Sequence, residues 1–188
     1  LSCGRGTHPV AWQSQFHGRT RMRRASFEGC GWCAMQWTSD MSNASAPNKL
    51  QRSLMRLDEA PKFMRGFVQN IILRRAVPFT GTAGVQFVSL TSERVEVRLA
   101  NEHRVHNHFG GVHASAMNLL AETATGMVVG MNVRDDSTPL AKEFSMQFKK
   151  RATGGLKAVA VLTPEQRAAM LAHDKGEVQV TVTVTDEA

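Results

Sequence analysis

The segment between His113 and Met131 limits the fold of this chain more than any other feature. Its apolar and small residues fall on nearly every side of a helix, and such a helix is stable only when protein surrounds it. Gly126 and Gly130, near its end, let a sheet backbone come close. The apolar members are Ala114, Ala116, Met117, Leu119, Leu120, Ala121, Ala124, Met127, Val128, Val129 and Met131. The sequence therefore predicts one long helix at the centre of a domain.

The segments on both sides of this helix carry the pattern of strands. Residues 85–87 and 95–99 alternate apolar and polar side chains around a short polar turn. Residues 144–148 and 178–185 alternate in the same way, and residues 156–162 are more uniformly apolar. Alternation with a period of two is typical of a strand with one buried face. We expect a hairpin before the long helix and three strands after it.

Shorter helices complete the predicted order. Residues 48–57 and 62–75 have apolar residues at helical spacing, and Pro61 separates them. Thr163 to Gln166 reads as a capping box, which predicts a short helix that ends near His173. The predicted order is helices, two strands, one long helix and three strands. This order predicts an α+β fold, with the long helix laid along a curved antiparallel sheet.

The first forty residues differ in composition from the rest of the chain. All three cysteines and all three tryptophans precede residue 41, and no sustained helical or strand period occurs there. We interpret residues 1–40 as a disordered or non-native extension, Met41 as the candidate first residue, and residues 41–188 as the domain. Cys30 and Cys33 have the CxxC spacing of redox and metal sites, but that spacing is only suggestive without a second pair.

The positive charge is spread between both parts of the chain. Of the formal net charge of +7, residues 1–40 contribute +3, five Arg against two carboxylates, and the remainder contributes +4. A mild excess suits a phosphate-bearing small ligand at least as well as a polynucleotide. A nucleic-acid-binding module is the weakest alternative, because no aromatic platform accompanies the dispersed basic residues.

The sequence predicts no membrane association. No apolar run approaches the length of about 18 to 20 residues that spans a bilayer, and the start does not resemble a signal peptide. Residues 41–188 contain no cysteine, which is compatible with a reducing cytosol. We therefore expect a cytoplasmic protein.

One carboxylate, Glu122, lies inside the predicted central helix. A buried carboxylate is costly unless it is paired, hydrogen-bonded or needed at a site. No Lys or Arg occurs between Arg104 and Arg134, so no cation is close along the helix. Asn118, four residues earlier, could share a hydrogen bond with it, and a surface position is the other ordinary explanation. We favour a working carboxylate.

The residues before the helix fit an acyl-transfer site. Gly110 and Gly111 leave the backbone unobstructed just ahead of the helix start, where free amides and the positive dipole end favour negative charge. Asn107 and His113 could add side-chain donors beside this oxyanion site. With Glu122 deeper in the cleft, the natural reaction is acyl transfer to water.

These residues resemble the motif of hotdog-fold acyl-CoA thioesterases of the phenylacetate-pathway type and their uncharacterised relatives. The similarity covers roughly residues 48–185 in element order. The motif is an Asn, a glycine-containing turn, a His followed by small residues, and an acidic residue nine positions after the His. Its members here are Asn107, Gly111, His113, Ala114, Glu122, Thr123, Ala124 and Gly126.

The resemblance implies hydrolysis of an acyl-CoA thioester without a cofactor or metal. It gives Glu122 the role of general base or nucleophile and makes the Ala114 amide the oxyanion donor. Asn107 would hold the thioester carbonyl or the water, and His113 would orient the substrate. The site would lie between two subunits of a homodimer, possibly a dimer of dimers. The residues expected to bind substrate are Gly110, Gly111, Thr123, Lys149, Lys150 and Arg151.

The chain also departs from that pattern. Many relatives have Gly where this chain has Ala114, and the closest described enzymes have Asp in place of Glu122. Relatives run one more strand after the position of residue 185, so the resemblance predicts a missing last strand. The cluster at 149–151 is expected to contact the phosphates of coenzyme A, although a solvated strand end explains it equally well.

Other functions remain open at this stage. His103, His106, His108 and His113 could bind a metal, with Glu122 as an oxygen ligand. A dehydratase on the same fold would want a proline-rich turn after the His, which this chain lacks. A non-catalytic acyl-CoA-binding hotdog module is the main alternative to an enzyme.

Overall fold

A computed structural model describes residues 28–38, 47–58, 61–173 and 175–188. The elements in chain order are β1 (Glu28–Thr38), α1 (Lys49–Asp58), α2 (Lys62–Ala76), α3 (Pro78–Ala83), β2 (Gln86–Leu90), β3 (Arg94–Leu99), a 3-10 turn (His103–Val105), α4 (Ala114–Gly130), β4 (Leu140–Phe148), β5 (Leu156–Val161), α5 (Pro164–Ala172) and β6 (Lys175–Asp186). Among the described residues, no helix is long and apolar enough to cross a membrane.

The strands form one antiparallel sheet in the order β2-β3-β5-β6-β1-β4. Helix α4 packs against its inner face and contacts β1, β3, β4, β5 and β6. Along β6 the even-numbered residues from Val178 to Val184 are buried and the residues between them are mostly exposed, as the alternation predicts. The α+β fold with a long helix along a curved antiparallel sheet is therefore confirmed.

The predicted elements of residues 48–185 are present with small shifts at their ends. Helix α5 begins with the predicted capping box, in which Thr163 Oγ1 accepts from the Gln166 N–H and Gln166 Oε1 accepts from the Thr163 N–H. The short helix α3 was not predicted, because two glycines and a proline made residues 78–84 look like a loop.

The interpretation of residues 1–40 as an extension outside the domain is wrong for residues 28–38. Strand β1 lies inside the sheet, with Gly31 opposite Met146 of β4 and Val182 of β6. Cys33 and Met35 point into the core. Periodicity missed the strand because apolar residues occupy both of its faces, and glycines interrupt the pattern. Residues 1–27 and 39–46, including the basic run at 19–24 and Met41, lie outside the described residues.

The resemblance predicted that a strand after residue 185 is missing. In the structure, an upstream segment pairs with the backbone of β6. The edge of β6 that faces away from β5 is paired along its length with β1, from Glu28 opposite Thr185 to Thr38 opposite Lys175. Backbone groups inside a sheet must find partners. Here an upstream segment supplies them and also connects β6 to β4.

Buried amides hold the C-terminal end of α4. Asn48 Nδ2 donates to the carbonyls of Gly130 at 2.7 Å and Val133 at 2.6 Å. Asn132 Nδ2 donates to Ser92 O at 2.6 Å and Val128 O at 2.8 Å. The carbonyls that a helix end leaves unpaired are thereby satisfied, and the helix is fixed to the β2–β3 turn.

The central place of β1 can be tested at Gly31. A Cβ at this position would stand 2.9 Å from the carbonyl oxygen of Ser145 and 3.6 Å from Val182 Cγ1. We expect Gly31→Ala to lower the free energy of unfolding by about 1–3 kcal/mol, measured by chemical denaturation, because the β4 backbone must move.

The matched control is Gly66→Ala. Gly66 lies in α2, and nothing stands within 4 Å of its Cβ position, so alanine should stabilise the protein by about 0.5–1 kcal/mol. A Gly31→Ala protein as stable as the wild type would contradict the placement of β1 between β4 and β6.

Candidate functional site

A tight turn precedes the N-terminus of α4. An isolated bridge pairs His106 with Val112, and the Asn107 N–H donates to Gly111 O at 2.8 Å. Asn107 Oδ1 accepts from the N–H groups of Phe109 at 2.9 Å and Gly111 at 3.2 Å. Gly110 has φ of 74°, a conformation that glycine adopts without strain. The Asn107 oxygen therefore shapes the turn, and its NH₂ group makes no hydrogen bond to the described residues.

His113 is the N-cap of α4. Its backbone is extended, with φ of −68° and ψ of 140°, and its Nδ1 accepts from the Ser115 N–H at 3.0 Å. Its own N–H donates to Val105 O at 2.8 Å. The exposed imidazole thus caps the helix, a role that Ser, Asp or Asn side chains usually have at helix N-termini. This role was not foreseen from the sequence.

The Ala114 amide is unpaired. The Ser115 N–H is taken by the His113 ring, and the N–H groups of Ala116 and Met117 donate to His113 O. Of the first four amides of α4, the one on Ala114 has no acceptor among the described residues. It stands at the positive end of the helix dipole, where an anion is stabilised. The resemblance assigned the oxyanion to this same amide.

Glu122 lies about two turns further along α4. Its side chain is exposed in the single protomer, and it makes no hydrogen bond or ion pair with the described residues. Enough protein still surrounds the carboxyl group for desolvation to raise its pKa above the ordinary value of 4.5. The Asn118 side chain makes no hydrogen bond to it, so the carboxylate is not satisfied in that way.

Complete burial of the central helix was predicted, and it is wrong for one stripe of α4. Ser115 and Glu122 are exposed, and Asn118, Leu119 and Gly126 are half-buried. The sheet covers the opposite face, where Leu120, Ala121, Ala124 and Val128 are fully buried. The stripe was not predicted, because its small and apolar members, such as Leu119 and Gly126, are typical of a buried helix face.

Strand β1 brings Cys33 close enough to Glu122 for the two groups to interact electrostatically. The thiol is buried and free, and it lies 3.5 Å from Met35 Sδ. Burial raises the pKa of Cys33, and the nearby Glu122 carboxylate raises it further. Residues 1–40 were interpreted as lying outside the domain, whereas Gly31, Cys33 and Met35 form the buried face of β1.

Arg151 lies beside the Asn107–Gly111 turn. Its guanidinium donates to Phe109 O at 3.4 Å and stands 4.0 Å from the Cβ position of Gly111. Lys149 and Lys150 are exposed next to it, and none of the three forms an ion pair with the described residues. The structure thus brings one of the three predicted phosphate-binding residues to the turn.

The remaining candidates lie apart from this site. Thr123 is buried, and its hydroxyl donates to Leu119 O at 2.6 Å. His106 Nε2 lies 2.7 Å from Asn101 Oδ1, and the His103 and His106 rings are 6.0 Å apart. The described part of the chain contains no group of three or more potential metal ligands.

The Ala114 N–H and the Glu122 carboxyl group are far apart along the helix of one protomer. The two residues are eight positions apart, which is about 12 Å along a helix axis. A base and an oxyanion donor that act together must both come within about 3 Å of the reacting atoms.

The capping role of His113 predicts a stability effect. We expect His113→Ala to lower the free energy of unfolding by about 0.5–2 kcal/mol, because the Ser115 N–H loses its acceptor. His113→Asn, which retains an N-cap acceptor, should remain within a few tenths of a kcal/mol of the wild type. Chemical denaturation measures both, and equal losses in the two variants would contradict the capping role.

Comparison with known proteins identifies the fold and the family. No curated protein matches the chain. The solved structure of PA5026 from Pseudomonas aeruginosa, a protein of unknown function called a probable thioesterase, has a TM-score of 0.52 at 16% identity over 63% of this chain and 93% of that one. A structural-genomics protein, APC5556, has a TM-score of 0.50 at 16% identity over 74% of this chain and 99% of its own. The PaaI protein of the E. coli phenylacetic acid degradation operon has a TM-score of 0.42 at 13% identity over 64% of this chain and 91% of its own.

The likeness to PA5026 shows that the chain has the hotdog fold, as the resemblance implied. The family described as "Domain of unknown function (DUF4442)" matches residues 67–188, which are 122 of the 188 residues. Because the match spans well over half of the sequence, the chain belongs to the DUF4442 family.

Proposed function

We propose that the protein hydrolyses an acyl-CoA thioester, with Glu122 as the general base on water. The observation that carries the proposal is the pair of unpaired groups on α4, the Ala114 N–H at its positive end and the Glu122 carboxyl group. A hydrolase needs an oxyanion donor and a base of this kind. The hotdog fold shared with a probable thioesterase supports the same reaction class.

In this mechanism Glu122 takes a proton from a water molecule as the water oxygen attacks the thioester carbon. The negative charge that develops on the carbonyl oxygen is stabilised by the Ala114 N–H and the helix dipole. The C–S bond then breaks, and the coenzyme A thiolate leaves and takes up the proton. Direct attack by the Glu122 carboxylate is the second route that the same residues allow.

A second copy of the chain completes the site. Since Ala114 and Glu122 of one protomer are about 12 Å apart along α4, the amide of one protomer acts together with the carboxylate of its partner. The open stripe of α4 around Glu122 is the surface that a partner's turn at residues 107–113 would cover. Covering it desolvates Glu122 further, which suits a general base.

The phosphates of coenzyme A would meet the cluster at 149–151. Arg151 stands at the glycine turn, and the charges of Lys149 and Lys150 are uncompensated among the described residues. A guanidinium and two ammonium groups at one strand end attract phosphate oxygens. A cytoplasmic location belongs to the same proposal, because Cys33 is a free buried thiol.

The decisive variant is Ala114→Pro. Proline removes the proposed oxyanion donor, and it is favoured at the first position of a helix. The extended backbone of His113 already suits a following proline. We expect an unchanged or higher thermal midpoint and a fall in kcat of roughly 100- to 1000-fold, measured as thiol release from a panel of acyl-CoA esters.

Mixing Ala114→Pro with Glu122→Gln tests the shared site. Each variant alone should be inactive. A refolded 1:1 mixture should recover toward about a quarter of the wild-type rate, because half of the dimers are mixed and each mixed dimer holds one intact site. Inactivity of the mixture would contradict a site shared between protomers. A wild-type protein that binds acyl-CoA without any turnover would instead establish the non-catalytic binding module.

The pH dependence follows from the Glu122 environment. The base must be ionised, and burial raises its pKa above 4.5, so kcat/KM should fall with acidification at a pH above 4.5. The raised pKa also means that the folded protein favours the protonated carboxyl. The protonated carboxyl group of Glu122 therefore contributes to the free energy of unfolding at low pH. This contribution is lost as the pH rises through the pKa of Glu122 in the folded protein.

Glu122→Gln should therefore raise the thermal midpoint at neutral pH while it abolishes hydrolysis. A profile of kcat/KM with its acid limb at or below 4.5, or an active Glu122→Gln protein, would exclude Glu122 as the base.

A further inference from the structure

We infer that helix α2 docks the protein on the surface of an anionic lipid bilayer. The docking surface is the exposed face of α2, which consists of Met64, Phe67, Ile71, Ile72 and Arg75. The inference does not depend on the proposed hydrolysis. It differs from the expectation of no membrane association, because that expectation considered only spanning segments and signal peptides.

Polar side chains attach α2 to strand β2 and the residue before it. Asn70 Nδ2 donates to Phe87 O at 3.0 Å, and Asn70 Oδ1 accepts from the Phe87 N–H at 2.8 Å. One turn later, the Arg74 guanidinium donates to Val85 O at 2.7 Å. Leu73, next to Arg74, is buried. The side of α2 that contacts the sheet thus carries two hydrogen-bonding side chains and one buried leucine.

The other side of α2 presents apolar side chains to solvent. Met64, Phe67, Ile71 and Ile72 lie at positions i, i+3, i+7 and i+8, which share one face of a helix. Phe67 is 69% exposed, and the other three are 39–45% exposed. A surface helix normally buries such a stripe and shows its polar side to water. Four large apolar side chains on one exposed face therefore mark an interaction surface.

The charge around this face indicates what binds there. Residues 47–83, which contain α1, α2 and α3, have seven Lys and Arg against two carboxylates, a net charge of +5. The rest of residues 41–188 has a net charge of −1. The positive charge of residues 41–188 is thus concentrated in these helices, which corrects the expectation that the basic residues are dispersed.

Some of these cations are available to a ligand. Arg75 is exposed on the apolar face of α2, and Arg56 is exposed on α1, which packs against α2. Neither forms an ion pair with the described residues, whereas Arg52 pairs with Asp135. Helices that combine apolar side chains with Lys and Arg bind anionic membrane surfaces through both apolar burial and electrostatic attraction.

Other occupants fit this charge less well. A second copy of the chain would bring its own net charge of +5 to the same interface, and like charges repel there. Residues 1–27 carry five Arg and no carboxylate, so they would also repel this face. An anionic bilayer supplies both negative charge and an apolar interior.

Co-sedimentation of the full chain with vesicles tests the docking surface. We expect binding to vesicles of equal parts phosphatidylcholine and phosphatidylserine, weaker binding to pure phosphatidylcholine, and a decrease with added salt. The double variant Phe67→Gln, Ile71→Gln should lower the partition coefficient roughly 10- to 100-fold, because two apolar side chains no longer enter the bilayer. Arg75→Gln should lower it about fivefold.

The matched controls are Leu171→Gln and Lys175→Gln. Leu171 lies in α5 and is 40% exposed, close to the 39% of Ile71, and Lys175 is an exposed cation of β6. Both controls should bind vesicles as the wild type does. In every variant the thermal midpoint should stay close to the wild-type value, because the substituted side chains are exposed.

The docking surface would be overturned by a wild-type protein that does not bind the anionic vesicles, or by a double variant that binds them equally well. Equal binding to both kinds of vesicle would exclude the requirement for anionic lipid. If the wild type binds no vesicles and the double variant has a smaller mass in sedimentation equilibrium, a second copy covers this face instead. Each of these outcomes leaves the proposed hydrolysis standing, since thiol release is measured separately without vesicles.

Discussion

The packing of α4 against the sheet is the interaction on which the rest of the structure depends. Helix α4 contacts β1, β3, β4, β5 and β6, and its Leu120, Ala121, Ala124 and Val128 are fully removed from water. Burial of one large aliphatic side chain contributes about 1.5–3 kcal/mol, and small residues let the helix approach the sheet closely enough to gain it. The same packing fixes the direction of the helix. Its positive end and its open stripe therefore have defined positions.

The two ends of α4 differ in how completely their backbone groups are hydrogen-bonded. At the C-terminal end, Asn48 and Asn132 satisfy the last carbonyls and tie the helix to its neighbours. At the N-terminal end the turn at residues 107–111 and the His113 cap satisfy most groups, and the Ala114 N–H is left over. An unpaired donor at a positive helix end costs little in water and becomes useful when an anion develops beside it. This contrast locates the candidate chemistry at the N-terminal end.

A single copy of the chain separates the Ala114 N–H from the Glu122 carboxyl group by about two helical turns. Glu122 is exposed in the protomer although its surroundings already raise its pKa. Under the proposed hydrolysis, assembly would be a condition for catalysis, because a partner would bring a second helix start to the carboxylate. The surface that such a partner would cover is the open stripe of α4, which carries Ser115, Asn118, Leu119, Glu122 and Gly126.

The sequence by itself determined the helix, the hairpin, the later strands and the identity of the motif residues, since these follow from local periodicity and spacing. It did not determine β1, because apolar residues occur on both faces of that strand and glycines interrupt the pattern, and only the edges left by β4 and β6 gave residues 28–38 their place. Nor did it show the His113 cap or that the Ala114 amide finds no acceptor among the described residues. Each of these depends on which partners tertiary packing brings within hydrogen-bond distance, and spacing along a chain does not encode that.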